Sequence, residues 1–202
     1  MLRSRLIWIL PIAALSGILS ETVIGQLFVY YAETGLHMSP NVASVLGTTY
    51  LLIGFVGGML GGYIFGRIRK RILMFLAWAL LVGAFTAVIW TTSSFILLFF
   101  LLILLGILTV NVLSMLYTLT AEATKDRGMV SFALSFVNFL QNIIGSFSPL
   151  LFSLVYDHSN YAFSWITIGA IGAACVSAGY MSLGYLRSEI YGRQPFFNTD
   201  SR

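Results

Sequence analysis

Long apolar runs dominate the chain, and short polar breaks interrupt them. Six runs, roughly 7–32, 41–66, 72–90, 95–120, 128–155 and 161–186, each approach or exceed the ~20 residues a helix needs to cross a bilayer. The breaks between them span residues 33–40, 67–71, 91–94, 121–127 and 156–160. Membrane strands would show alternating segments of about ten residues, and these runs do not alternate. Lipid offers backbone groups no outside partner, which leaves helices as the remaining way to span it. The pattern predicts an all-α membrane protein: a bundle of six transmembrane helices over residues 1–190, then a tail over 191–202. Pro149, late in the fifth run, is expected to kink its helix.

Composition agrees with that pattern. Of 202 residues, 58% are hydrophobic and only 9% charged, against about 25% charged in a soluble domain. The positions of the charges carry more information than their number. Arg3 and Arg5 precede the first run, and Arg67, Arg69, Lys70 and Arg71 follow the second. Lys125 and Arg127 follow the fourth, and Arg187, Arg193 and Arg202 follow the sixth. All eleven basic residues therefore fall on one side, while the other side carries Glu33, His37, Asp157 and His158. The positive-inside bias then places both termini in the cytoplasm, in the plasma membrane. The apolar stretch after Arg5 is too long for a signal-peptide core of about 7–15 residues, so it reads as a span. Topology accounts for the basic clusters, and base-reading groups are not interleaved with them, so no nucleic-acid partner is expected. A single cysteine, Cys175, excludes a disulfide within the chain.

The runs also repeat as three plus three. The first ends Tyr30-Tyr31-Ala32-Glu33 and the fourth ends with residues Tyr117 to Glu122, each before a short break and a run dotted with small or polar residues. An odd number of helices per copy makes the two copies point in opposite directions, an inverted 3+3 repeat.

Residues 62–71, from Gly62 through Arg67 to Arg71, resemble the loop motif of the major facilitator superfamily: glycine, three residues, aspartate, arginine, one residue, glycine, then two basic residues. Gly66 stands where that family has aspartate and Arg69 where it has glycine. Tyr117 through Glu122, followed by Arg127-Gly128, is similar to the glutamate-to-arginine-glycine segment of sugar and organic-ion porters. Asn138 to Asn142 with Ser148-Pro149 resembles their asparagine-rich eleventh helix, and Tyr30-Tyr31 the tyrosine pair ending their seventh. The resemblance covers nearly the whole chain and points to the C-terminal six-helix half of such a porter. It implies a substrate site between two six-helix bundles. The facing bundle is expected to be a second copy, making a homodimer, or a separate N-terminal half. It also implies a gating loop carried by Arg67, Arg69, Arg71, Glu122 and Arg127, with the aspartate of that gate missing at Gly66.

Candidate chemistry centres on Glu21, near the midpoint of the first run. A carboxylate at that depth costs on the order of 2.5–3.5 kcal/mol, and no lysine or arginine lies inside any run. Glu21 is expected to be neutral or to cycle its proton, as a coupling or substrate-binding group; a protonated carboxyl hydrogen-bonded to Ser20, Thr22 or a neighbouring helix is the structural alternative. Gln26, Asn111, Asn138 and Asn142 complete the candidate substrate-binding set, since amides bind sugars or zwitterions without net charge. Asn138 and Asn142 are four apart and share a helix face. The glycines at 54, 57, 58, 61, 62 and 66 form a small-residue ridge suited to close helix packing. His37 and His158 sit in outer breaks without other ligand-type side chains, so neither metal nor cofactor is expected. Trp8, Trp78, Trp90 and Trp165 lie mostly near run ends, as an interfacial belt does.

Function then reads as a half-size secondary transporter of a small polar organic solute, a sugar or an organic ion, coupled to protons through Glu21. The alternatives are a membrane binding or accessory subunit and an inactive remnant of a longer transporter. An intramembrane enzyme lacks paired histidines or aspartates within the runs, and a water channel lacks its paired boxes.

Overall fold

The computed structural model describes residues 5–68, 70–124, 127–158 and 160–191. Its helices are α1 (Arg5–Ala13), α2 (Leu15–Thr34), α3 (Pro40–Arg67), α4 (Arg71–Ala87), α5 (Phe95–Ala123), α6 (Val130–His158) and α7 (Tyr161–Tyr191), with 3₁₀ turns at Ile89–Thr91 and Arg127–Met129. Among the described residues there is no strand. Five helices are each long and apolar enough to cross a membrane, and α1 with α2 forms a sixth span as a bent pair. The expected tail lies outside the described residues except for Tyr191, which ends α7.

The first span corrects the reading of an unbroken run over 7–32. It bends by 43° between α1 and α2. Pro11 sits inside α1 and has no amide proton to continue the helical ladder. At the break, Ala14 N–H donates to Leu10 O at 3.0 Å and to Pro11 O at 3.2 Å, and Gly17 N–H donates to Ala14 O at 3.0 Å. Pro149 behaves differently: α6 continues through it as one helix. The Ser148 hydroxyl donates to Gly145 O at 2.6 Å, the carbonyl that a residue other than proline at 149 would have engaged.

Two helix starts are favoured by their sequence. Pro40 opens α3 in its first turn behind an extended Ser39, where proline loses nothing. Asn160 caps α7, its Oδ1 accepting from Phe163 N–H at 3.1 Å.

Packing follows the three-plus-three pattern. α3 lies along α5, α2 along α6, and α4 along α7. The first two pairings exchange when each helix of the first half is replaced by its counterpart in the second. Lipid tails are as apolar as the core, so association here relies on close packing more than on hydrophobic burial. Glycine makes that approach possible on α3. A Cβ at Gly57 would stand 2.7 Å from the Ile107 backbone Cα, and one at Gly54 2.9 Å from Val110. Gly62 and Gly66, by contrast, meet nothing within 4 Å, so the packing ridge is 54, 57, 58 and 61, not the full set. A second close crossing joins α4 to α7, where a Cβ at Gly83 would stand 3.0 Å from Gly169 O.

Gly57→Val is expected to destabilise the bundle by about 1–3 kcal/mol through overpacking against backbone. Gly62→Ala should stay within about 0.5 kcal/mol of the parent. Thermal or denaturant unfolding in detergent measures both.

Candidate functional site

Two strips of side chains remain open on one side of the bundle. On α2, Glu21, Thr22, Gly25, Gln26 and Val29 recur at helical spacing and are half-buried or exposed. On α6, Asn138, Asn142 and Ser146 recur every fourth residue and are exposed. The strips run side by side, since a Cβ at Gly145 of α6 would stand 3.1 Å from the Thr22 hydroxyl of α2. Tyr117 of α5 reaches the α6 strip, its hydroxyl donating to Asn138 Oδ1 at 3.0 Å.

Glu21 is half-buried. Its sequence neighbours are committed elsewhere: Ser20 shares a 2.7 Å hydrogen bond with Thr86 of α4, and Thr22 donates to Ile18 O at 2.8 Å. Both hydroxyl protons are thus directed away from the Glu21 carboxyl. The other polar group near Glu21 is the fully buried Tyr50 phenol of α3, which faces Thr109 of α5. Gln26 projects from an open stretch, with empty space beside Gly25.

The α6 amides form an ordered pair. Asn142 Nδ2 donates to Asn138 Oδ1 at 2.9 Å and to Asn138 O at 2.8 Å, and the Ser146 hydroxyl donates to Asn142 O at 2.7 Å. Glu21 and Gln26 thus lie on the α2 strip, and Asn138 and Asn142 on the α6 strip.

Asn111 is not brought to it. The side chain is 1% exposed and fills the space where a side chain on Gly61 would be, with Nδ2 donating to Ile107 O at 2.8 Å. The physical reason is the glycine ridge: Gly61 offers a socket on α3, and the nearest polar residue of α5 occupies it. A shallow groove of about 350 Å³ along α3, lined by Ser44, Val45, Thr48, Thr49 and Leu52, is formed by that one helix and encloses no second wall.

Gln141 faces inward. Its Nε2 donates to Pro11 O at 2.6 Å across the break in the first span, and the side chain is 1% exposed. It braces the bend from α6.

At the basic end, Arg71 at the start of α4 pairs with Glu122 near the end of α5 and reaches back to Gly66 O at 3.4 Å. Arg67 lies over the Tyr63 ring, 4.0 Å from its centroid. The gate aspartate that the family resemblance places at position 66 is replaced here by a backbone carbonyl and by a carboxylate from α5. Arg69 and the Arg127 side chain lie outside the described residues; the backbone at Arg127 opens a 3₁₀ turn. Among the described residues, no three histidine, cysteine or acidic side chains are grouped to hold a metal ion.

Two features escaped the sequence reading. Pro11 was visible as a helix-interior proline but was passed over inside a long apolar run. The bond from Tyr117 to Asn138 joins positions 21 apart on different helices, and no spacing rule predicts it.

The family model of the Major Facilitator Superfamily matches residues 10–194. The chain belongs to the Major Facilitator Superfamily. The Major Facilitator Superfamily is a family of membrane transporters and not of enzymes, so this multi-pass chain is of the transporter type. No individually curated protein matches it significantly.

Gln141→Leu is expected to orphan the Pro11 carbonyl at the bend and to destabilise by about 1–3 kcal/mol. Gln141→Glu should recover little, because a carboxylate cannot donate to that carbonyl. Unfolding midpoints of the two variants against the parent measure this.

Proposed function

We propose that the chain is one half of a secondary transporter for a small polar organic solute, a sugar or an organic ion. In this reading it works by alternating access against a second six-helix bundle and is coupled to protons through Glu21. The observation that carries the reading is the open strip of Glu21, Gln26, Asn138 and Asn142. Lipid cannot hydrogen-bond these groups, and the described chain leaves Gln26, Asn138 and Asn142 exposed and covers Glu21 only in part. A facing bundle that encloses water answers both facts. That bundle is a second copy of this chain or a separate N-terminal half.

In this proposal the basic end faces the cytoplasm and the membrane is the plasma membrane, with both termini inside, on the strength of the positive-inside bias. Gln26, Asn138 and Asn142 hold the solute by neutral hydrogen bonds. Glu21 supplies the one charge on this wall, and without a basic neighbour inside the spans its compensation is a proton or a positive group on the solute. Asn111 enters the site only if α3 and α5 part at Gly61.

The Arg71–Glu122 pair lies within this bundle, so it ties the ends of α4 and α5 together rather than bridging to the partner. With Arg71 and Glu122, Arg67, Arg69 and Arg127 make up the gating loop of this reading.

Proteoliposome uptake of radiolabelled sugars, organic cations and organic anions, driven by a pH gradient, tests the reading. The parent should accumulate at least one class, and Glu21→Gln should lose the pH-driven component. Normal, still pH-driven uptake by Glu21→Gln removes Glu21 from the coupling role. Cysteine cross-linking of the exposed α6 face in native membranes tests the facing bundle: a captured dimer or a captured second chain supports it, and monomer at every concentration counts against it.

A further inference from the structure

We propose that the break between α3 and α4 binds an anionic phospholipid, its phosphate held by Arg67 and Lys70 and one acyl chain laid along the exposed face of α3. The inference is independent of the solute and of Glu21: it gives the basic break a ligand drawn from the membrane itself.

Arg67 ends α3, one of the helices long and apolar enough to cross a membrane, so its guanidinium lies at the membrane surface. Arg71 is already engaged. It pairs with Glu122 of α5 and reaches Gly66 O at 3.4 Å. Arg67 and Lys70 are exposed, and among the described residues neither meets a carboxylate. They stand three positions apart, so their backbones are at most about 11 Å from one another. Two long side chains close that distance on a single phosphate.

The positive-inside bias explains the sign of this break but not the posture of Arg67. Its guanidinium carbon lies 4.0 Å from the centroid of the Tyr63 ring, one helical turn back towards the bilayer. An arginine at a span end ordinarily extends its head to water. This one is held against an exposed ring at the lipid boundary, where the available counter-charge is a lipid phosphate. The ring takes the flat face of the guanidinium and leaves its edge N–H groups free to donate. Such a fork matches two phosphate oxygens, and the Lys70 ammonium adds a point charge.

The face of α3 below these cations suits an acyl chain. Phe55, Met59 and Tyr63 are 75%, 71% and 60% exposed, and their four-residue spacing puts them on one side of the helix. From Leu51 to Gly62 every exposed residue of α3 is apolar, unlike the asparagines and serines of α6. Gly62 and Gly66, next to Tyr63 and Arg67 in the chain, meet nothing within 4 Å, so the strip stays open up to the cations. An anionic phospholipid brings a negative head to the one part and an apolar tail to the other.

The test uses the full chain in detergent micelles with equal amounts of phosphatidylglycerol or phosphatidylcholine added, and native mass spectrometry to count retained lipids. The parent should retain phosphatidylglycerol in preference. Arg67→Gln and Lys70→Gln should each lower that preference about fivefold, the usual weight of one cation near an anionic membrane. Tyr63→Leu should lower it too, because Arg67 loses its seat, whereas Tyr63→Phe should keep it. Lys125→Gln, a change in a different basic break, should leave it unaltered. Equal retention of the two lipids by the parent overturns the proposal. So does an equal loss in Lys125→Gln and Arg67→Gln, since diffuse charge then suffices. Displacement of the lipid by millimolar glycerol phosphate overturns it as well, because the break then takes soluble anions. Unfolding midpoints check each variant. Should Arg67→Gln fail to fold, Lys70→Gln decides alone, and an unchanged preference in it refutes the headgroup assignment.

Discussion

A bilayer core supplies no hydrogen bonds, and most of this structure is an answer to that. Backbone groups are satisfied by uninterrupted helices wherever the sequence allows. Where proline interrupts, a side chain takes over: Ser148 engages the carbonyl left by Pro149, and Gln141 crosses from α6 to the Pro11 carbonyl at the bend of the first span. Hydroxyls within helices turn back on their own ladders, as Thr86, Thr118, Thr120 and Ser177 do. Gln26 on α2 and Asn138, Asn142 and Ser146 on α6 stay exposed.

Close packing is the second consequence of the same solvent. Lipid removes the usual advantage of burying apolar side chains, so helices hold together by shape and by a few interhelical bonds. The glycines of α3 and the Gly83–Gly169 crossing bring backbones into contact, while Ser20 and Thr86 supply a buried hydrogen bond between α2 and α4. These contacts hold the helices of the bundle close together.

The architecture was largely legible in the sequence. Apolar run length located the spans to within a few residues, and the Gly62–Arg71 segment pointed to the superfamily before any coordinates. The site was legible only in part. Glu21 stood out because a carboxylate at mid-membrane is costly, and Asn138 with Asn142 stood out by their four-residue spacing. The burial of Asn111 was not legible, because its environment is set by Gly61 on another helix, 50 positions away in the chain. The brace from Gln141 to Pro11 and the bond from Tyr117 to Asn138 are tertiary events too. Single-helix periodicity says which residues share a face, but not what stands opposite that face.

The fit of Asn111 into the place of a missing side chain makes positions 61 and 111 a single unit of inheritance. A methyl group at 61 would have to coincide with the amide, so any lineage that gains one must first shrink residue 111. Descendants of this chain should therefore change the two positions together or neither, and a drift at one of them alone would mark a bundle whose second and fourth spans have moved apart.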